Sequence, residues 1–186
     1  MRRKPDNTLN DLDGKEWIKA TKSWFVINPR SRSSAQLEHP AKFPEELVKR
    51  FVGFFTKSES WILDPFAGVG STLIACKESS RNSVGIELNS EFAQTGQEYI
   101  AQIKGNSQHH LIVGDAQDAI SLLEKQFNGE TPKFDYLITS PPYWNMLRKS
   151  RGGSDSVHKA REEKGLRQHY SESNRDLGNI KNYDEY

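Results

Sequence analysis

The chain has 186 residues, enough for one domain with one main hydrophobic core and too few for a second large domain. It is 34% hydrophobic and 27% charged, so part of its polarity belongs in loops or tails outside that core. Lys and Arg total 26 against 25 Asp and Glu, and the net charge of +1 excludes a globally basic nucleic-acid footprint. The single cysteine, Cys76, excludes an internal disulfide and a multi-cysteine metal site, and no metal is expected.

Residues 1–13 are polar, with a basic cluster at Arg2, Arg3 and Lys4 and no apolar stretch behind it. They resemble neither a signal peptide nor a membrane span, so a cytoplasmic protein with no membrane partner is expected, with Arg2, Arg3 and Lys4 in a frayed, solvated terminus rather than on phosphates. Asn28 to Ser34 reads as a loop. Pro44, Glu45 and Glu46 then open a helix with Leu47, Val48, Phe51 and Phe55 on its apolar face.

Trp61–Asp64 is a short apolar strand, followed by the glycine-rich turn Pro65–Gly70 and a helix over 71–77. Residues 83–87 give a second strand, and 90–104 a long helix with Phe92, Tyr99, Ile100 and Ile103 on its apolar side. A third strand covers 110–115, a helix 116–127, and a fourth strand 134–139 ends at Ser140-Pro141-Pro142-Tyr143. This alternation predicts an α/β fold, a Rossmann-like, doubly wound, mainly parallel sheet. Beyond Trp144 the chain turns charged, with Gly and Ser and no strand, until 183–186 reads as the start of another helix; the sheet is expected to be incomplete on its C-terminal side.

Three acids stand at the ends of three successive strands: Asp64, Glu87 and Asp115. Any one alone would read as a helix N-cap, but three in register behind one glycine loop point to a ligand. No Gly-Lys-Ser/Thr is present to cradle a triphosphate, and the glycine spacing is not the dinucleotide pattern, so ATP and NAD are disfavoured. A cationic ligand without phosphate suits Asp64 better.

The Ser140-Pro141-Pro142-Tyr143 run is the most specific feature. A proline-terminated strand explains why the strand stops, yet not why Ser, two prolines and an aromatic come together. Methylation of an exocyclic amino group explains all four. Ser140 and the Pro141 carbonyl would accept its N–H hydrogens, the prolines would stiffen the loop, and Tyr143 would stack on an extruded base.

At these residues the chain resembles the S-adenosylmethionine-dependent DNA amino-methyltransferase family, of N4-cytosine and N6-adenine type. Asp64-Pro65-Phe66-Ala67-Gly68-Val69-Gly70-Ser71-Thr72 is similar to its cofactor-loop motif, and Ser140 to Tyr143 to its catalytic motif. The resemblance implies S-adenosyl-L-methionine as cofactor, with Glu87 at the ribose and Asp115 and Ala116 at the adenine. His39-Pro40-Ala41-Lys42-Phe43-Pro44-Glu45-Glu46-Leu47 resembles the segment that precedes the glycine loop and closes over the methionine end. Serine at the first catalytic position implies cytosine N4 rather than adenine N6, the runner-up. Methylation at carbon 5 would instead want a Pro-Cys nucleophile, and Cys76 lies in a helix with no proline before it.

The implied layout is an N-terminal segment over 1–57, a cofactor-binding core over 58–143 and a basic polar loop with the start of a helix over 144–186. Arg148, Lys149 and Arg151, with Lys159, Arg161, Lys164 and Arg167, either track DNA phosphates or form a solvated loop. The five histidines, His39, His109, His110, His158 and His169, show no ligand spacing. Family members carry further strands and a target-recognition region. The chain is then expected to be a truncated enzyme, one part of a split enzyme or a fragment. Its expected partner is DNA and, if it is part of a split enzyme, a second polypeptide completing the sheet and supplying target recognition; little methylation is expected from the chain alone.

Overall fold

The computed structural model describes residues 6–29, 31, 39, 42–144, 161–167, 169–182 and 184. Four parallel strands, β1 (Trp61–Asp64), β2 (Asn82–Glu87), β3 (His109–Val113) and β4 (Tyr136–Leu137), lie in the order β3-β2-β1-β4. Consecutive strands step one way from β1 to β3, and the chain then returns to the other side of β1 with β4. That reversal opens a crevice beyond the carboxyl ends of β1 and β4, where α/β sheets bind ligands.

The first helix, α1 (Gly14–Ala20), was not evident from apolar periodicity, and none of its residues is buried. It is fixed instead by a capping box: the Asp13 carboxylate accepts from the Lys15 and Glu16 amides, and Glu16 accepts from the Asp13 amide. Ahead of it, Asn10 is buried and donates to the Phe54 carbonyl at 2.5 Å, while Asp11 accepts from Ser58 and pairs with Arg81. Residues 6–13 are thus strapped to the core; Arg2, Arg3 and Lys4, where a frayed terminus is expected, lie outside the described residues. Burial of Arg81 makes the strap worthwhile, since its guanidinium also donates to the Thr56 and Ser79 carbonyls.

Helix α2 (Glu45–Phe55) follows Pro44 and two early glutamates, and its buried stripe is Val48 and Val52 rather than Phe51 and Phe55; Phe55 is half-exposed. With Ile62, Ala75 and Cys76 those valines form one apolar cluster against α3 (Ser71–Glu78). A second cluster joins Leu73 and Ile74 of α3, Ala93 and Ile100 of α4 (Ser90–Gln102), and Leu111 of β3. Side chains alternate across a strand, so Trp61 turns away from Ile62 and meets His110, Phe127 and Phe134 on the other face, beside α5 (Ala119–Gln126). The expected helix over 116–127 is a 3-10 turn, Ala116–Asp118, running into α5.

Glycine brings the layers close enough for the β1–α3 loop to sit over the sheet. A Cβ at Gly96 of α4 would lie 2.6 Å from a Leu111 methyl and 3.0 Å from the Val69 carbonyl carbon, so α4 and the loop touch backbone to backbone only because that side chain is missing. Past β4 the described residues 161–182 return across the carboxyl ends of the strands, with a 3-10 turn at Leu177–Asn179. The expected helix at 183–186 and the basic residues Arg148, Lys149 and Arg151 lie outside the described residues.

Candidate active site

A cavity of about 330 Å³ lies over the carboxyl ends of β1, β2 and β4. Its floor is the glycine loop, from Asp64 through Phe66, Ala67 and Gly68 to Ser71 and Thr72. Gly68 and Gly70 have φ of 54° and 78°, left-handed values that turn the strand into the helix without a steric penalty. Gly70 caps α3 in this way and does not itself line the cavity. His39 stands against the loop: a Cβ on Gly68 would lie 2.7 Å from its Nε2, and its ring packs on Phe92 and Tyr170. Lys42 and Phe43 line the wall beside it, while Pro40 lies outside the described residues.

The three strand-end acids converge on this cavity but differ in their bonding. Asp64 is buried; Oδ1 accepts from the Phe66 amide at 3.1 Å and the Thr139 hydroxyl at 2.7 Å, and Oδ2 from the Thr72 hydroxyl at 2.5 Å. Burial raises its pKa and these bonds oppose the rise. Asp64 thus joins the glycine loop to the end of β4 while still lining the cavity, where the sequence suggested a counter-charge for a cation.

Glu87 accepts at 2.8 Å from the Gly68 amide on one oxygen and from the Asn89 amide on the other. Burial pushes its carboxyl up to about 7, with those two amides pulling the other way. Each oxygen keeps a second lone pair. Asp115 lies two residues beyond the end of β3, where its Oδ1 caps the 3-10 turn at the Gln117 amide and its Oδ2 pairs with Arg175 at 2.7 Å. Ala116 lines the cavity next to it.

At the mouth, Ser140 and Pro142 line the cavity and Pro141 and Tyr143 flank it. The Ser140 Oγ lies 2.9 Å from the Tyr143 hydroxyl, and Tyr143 is 48% exposed, a large aromatic face open to an incoming ligand. Trp144 follows with φ of 40°, left-handed for a bulky residue, and its Nε1 donates to the Ile180 carbonyl at 2.9 Å.

The remaining wall was missed from the sequence. Tyr170, Ser171, Arg175, Asp176 and Leu177 close the cavity from above. Asn89 donates to the Tyr170 carbonyl at 2.8 Å, Arg167 pairs with Glu91, and Arg175 bridges Asp115 and Asp118. Asp176 is buried and accepts from the Ser171 hydroxyl and the Gly178 amide. Arg161 donates to the Arg167 carbonyl. Arg161 and Arg167, read as candidate phosphate contacts, thus hold this wall together. The only local signal was the turn chemistry of Ser171, Ser173 and Asp176. Among the described residues no helix is long and apolar enough to cross a membrane, and no cluster of His, Cys, Asp or Glu is arranged to hold a metal.

The family described as DNA methylase, of the N6 and N4 amino-methyltransferase type, matches residues 4–98, just over half of the chain. The match takes in the glycine loop and Glu87 and stops short of Ser140. The chain is 41% identical over 64 residues to the Type II methyltransferase M.HindIII of Haemophilus influenzae, covering 34% of this chain and 21% of that protein. It is 33% identical over 96 residues to the Type II methyltransferase M.BglI of Bacillus subtilis, covering 49% and 26%. A solved structure of TTHA0409 from Thermus thermophilus, complexed with S-adenosyl-L-methionine, is 30% identical with a TM-score of 0.45, covering 60% of this chain and 44% of that one. The chain spans less than a third of the length of the curated relatives it matches.

Proposed function

Because the chain belongs to the DNA methylase family of N6 and N4 amino-methyltransferases, we propose that it carries the S-adenosylmethionine site and catalytic loop of an enzyme that methylates an exocyclic amino group of a base flipped out of DNA, cytosine N4. The observation that carries this reading is the meeting, at one cavity, of the Glu87 and Asp115 carboxylates with the Ser140-Pro141-Pro142-Tyr143 loop. The residues fit the cofactor. Glu87, with a free lone pair on each oxygen after accepting Gly68 and Asn89, suits the two hydroxyls of a ribose. Asp115 and Ala116 suit an adenine edge, and His39, Phe66 and Ala67 give the floor its apolar and aromatic surface.

When bound, S-adenosylmethionine supplies a methyl group on a positively charged sulfur. The protein's part is to present a nucleophile in line with it. The lone pair of an aromatic amino group is delocalised into the ring, so the nitrogen attacks only when its hydrogens are held out of the ring plane. The Ser140 Oγ and the Pro141 carbonyl accept those hydrogens, and the Tyr143 ring holds the base flat. The exposure of Tyr143 leaves the loop open to water, which takes the proton released from nitrogen after transfer. The serine favours cytosine N4 over adenine N6.

Calorimetric titration with S-adenosylmethionine tests the first half of this reading. In Glu87→Ala the affinity should fall by about 1–3 kcal/mol, the usual cost of losing paired hydrogen bonds; unchanged affinity in a folded variant would remove Glu87 from the site. Mass spectrometry of nucleosides from treated DNA tests the second, N4-methylcytosine supporting it and N6-methyladenine overturning the choice of base. The short span relative to the relatives favours a second reading, a cofactor-binding part that turns over only with further protein. Cofactor binding without any methylated nucleoside would select it.

A further inference from the structure

The bond between the Ser140 Oγ and the Tyr143 hydroxyl has a role that stacking does not explain. We propose that the Tyr143 hydroxyl is a positioning group that takes up the only hydrogen of Ser140, making that serine an obligate acceptor and so letting the site tell an amino-bearing base from one bearing a carbonyl. This rests on the amino-methyltransferase reading and adds to it the way the acceptor is selected.

A serine hydroxyl is ambivalent, with one hydrogen to give and two lone pairs to offer. Pointed at a target nitrogen, its hydrogen would bond the lone pair that must attack the methyl group and quench the reaction. Pointed at a carbonyl, it would welcome the deaminated base, uracil, in place of cytosine. A carboxylate or an amide carbonyl at the same position has no such ambiguity, so a serine needs a neighbour to resolve it. Tyr143 is that neighbour. Its hydroxyl lies 2.9 Å from the Oγ, and either oxygen can supply the hydrogen of the bond. Tyr143 is 48% exposed, so its own hydrogen can go to water, leaving its oxygen free to accept from Ser140. Both Ser140 lone pairs then face outward as acceptors. Thr139, the next hydroxyl along the chain, already gives its hydrogen to Asp64 at 2.7 Å and so has none to offer Ser140.

The test separates the hydroxyl from the ring. Binding of oligo(dC) and oligo(dU) of equal length is measured by fluorescence anisotropy, on the full chain saturated with the unreactive cofactor analogue sinefungin. The wild type should prefer oligo(dC) by about tenfold, a magnitude typical of sites whose polar group is mismatched by the wrong ligand. In Tyr143→Phe the ring is kept, and the preference should fall to within about twofold, chiefly because oligo(dU) binds more tightly once Ser140 can donate. Ser140→Ala should lose the preference in the opposite manner, through weaker oligo(dC) binding. Tyr143→Phe with the wild-type preference intact would overturn the proposal and leave the underlying reading in place, as would a wild type that binds both oligomers equally. No binding of either oligomer by the wild type would overturn this role for the chain as it stands and select the second reading, in which the base is held only with further protein.

Discussion

At the scale of single residues, Glu87 carries a conflict that pH can expose. Its folded value of about 7 lies above the ordinary 4.5, so the folded state holds a proton that the unfolded chain has already released. The associated stability is fully present below pH 4.5 and is lost as pH rises to about 7. A shift of that size corresponds to about 3 kcal/mol at roughly 1.4 kcal/mol per pH unit. Removing the titrating group in Glu87→Gln should therefore make the variant gain on the wild type by up to about 3 kcal/mol between these two pH values, measured by urea unfolding at each. His109, held down to about 4 by burial and by Lys77, has the opposite slope, but it is common to both proteins and cancels in the difference. A parallel pair of pH profiles would mean that Glu87 stays charged when folded. Its place at the end of β2 was legible in the sequence, since an acid closing an apolar run needs only pattern to be seen. The displaced pKa was not, because it follows from what α4 and the returning C-terminal residues stack around it.

At the scale of elements, the strands were the most legible part. Each is a short apolar run stopped by glycine, proline or an acid, and all four lie where that pattern puts them. The boundaries moved by one or two residues, and β4 shrank to Tyr136–Leu137 because only two of its residues pair with β1. Helix α1 escaped notice because no apolar stripe marks it, although Asp13 and Glu16 spelled its capping box. The close contact between α4 and the glycine loop was not legible at all, since Gly96 in a helical stretch reads as a weak point, not as a docking surface. Gly96→Ala should test it. In an exposed helix alanine would stabilise, but here the added methyl meets Leu111 and the Val69 backbone. We expect a loss of about 1–3 kcal/mol on chemical denaturation, and a gain would show that α4 can move away from the loop without cost.

At the scale of the whole molecule, the chain closes on itself: the described residues among 161–182, beyond the Ser140–Tyr143 loop, return to roof the cavity laid down by the first half. Sequence could not reveal this, because the roof is polar, lacks periodicity and is held by pairs far apart in the chain, Arg175 to Asp115 and Asp118 and Trp144 to Ile180. Arg175→Ala should loosen the roof and hasten chymotryptic cleavage at Tyr170 under native conditions. An unchanged rate would show that the Asn89 and Trp144 bonds hold it unaided. Beneath the roof, Asp64 gives the molecule a common datum. One buried carboxylate grips Thr72 and the Phe66 amide behind the cavity and Thr139 just ahead of Ser140. Thermal breathing of the sheet then carries the two loops as a pair. For a transfer that tolerates shared motion but not a change in the gap between the reacting atoms, such correlated drift is harmless, and only sliding of one loop against the other would be felt.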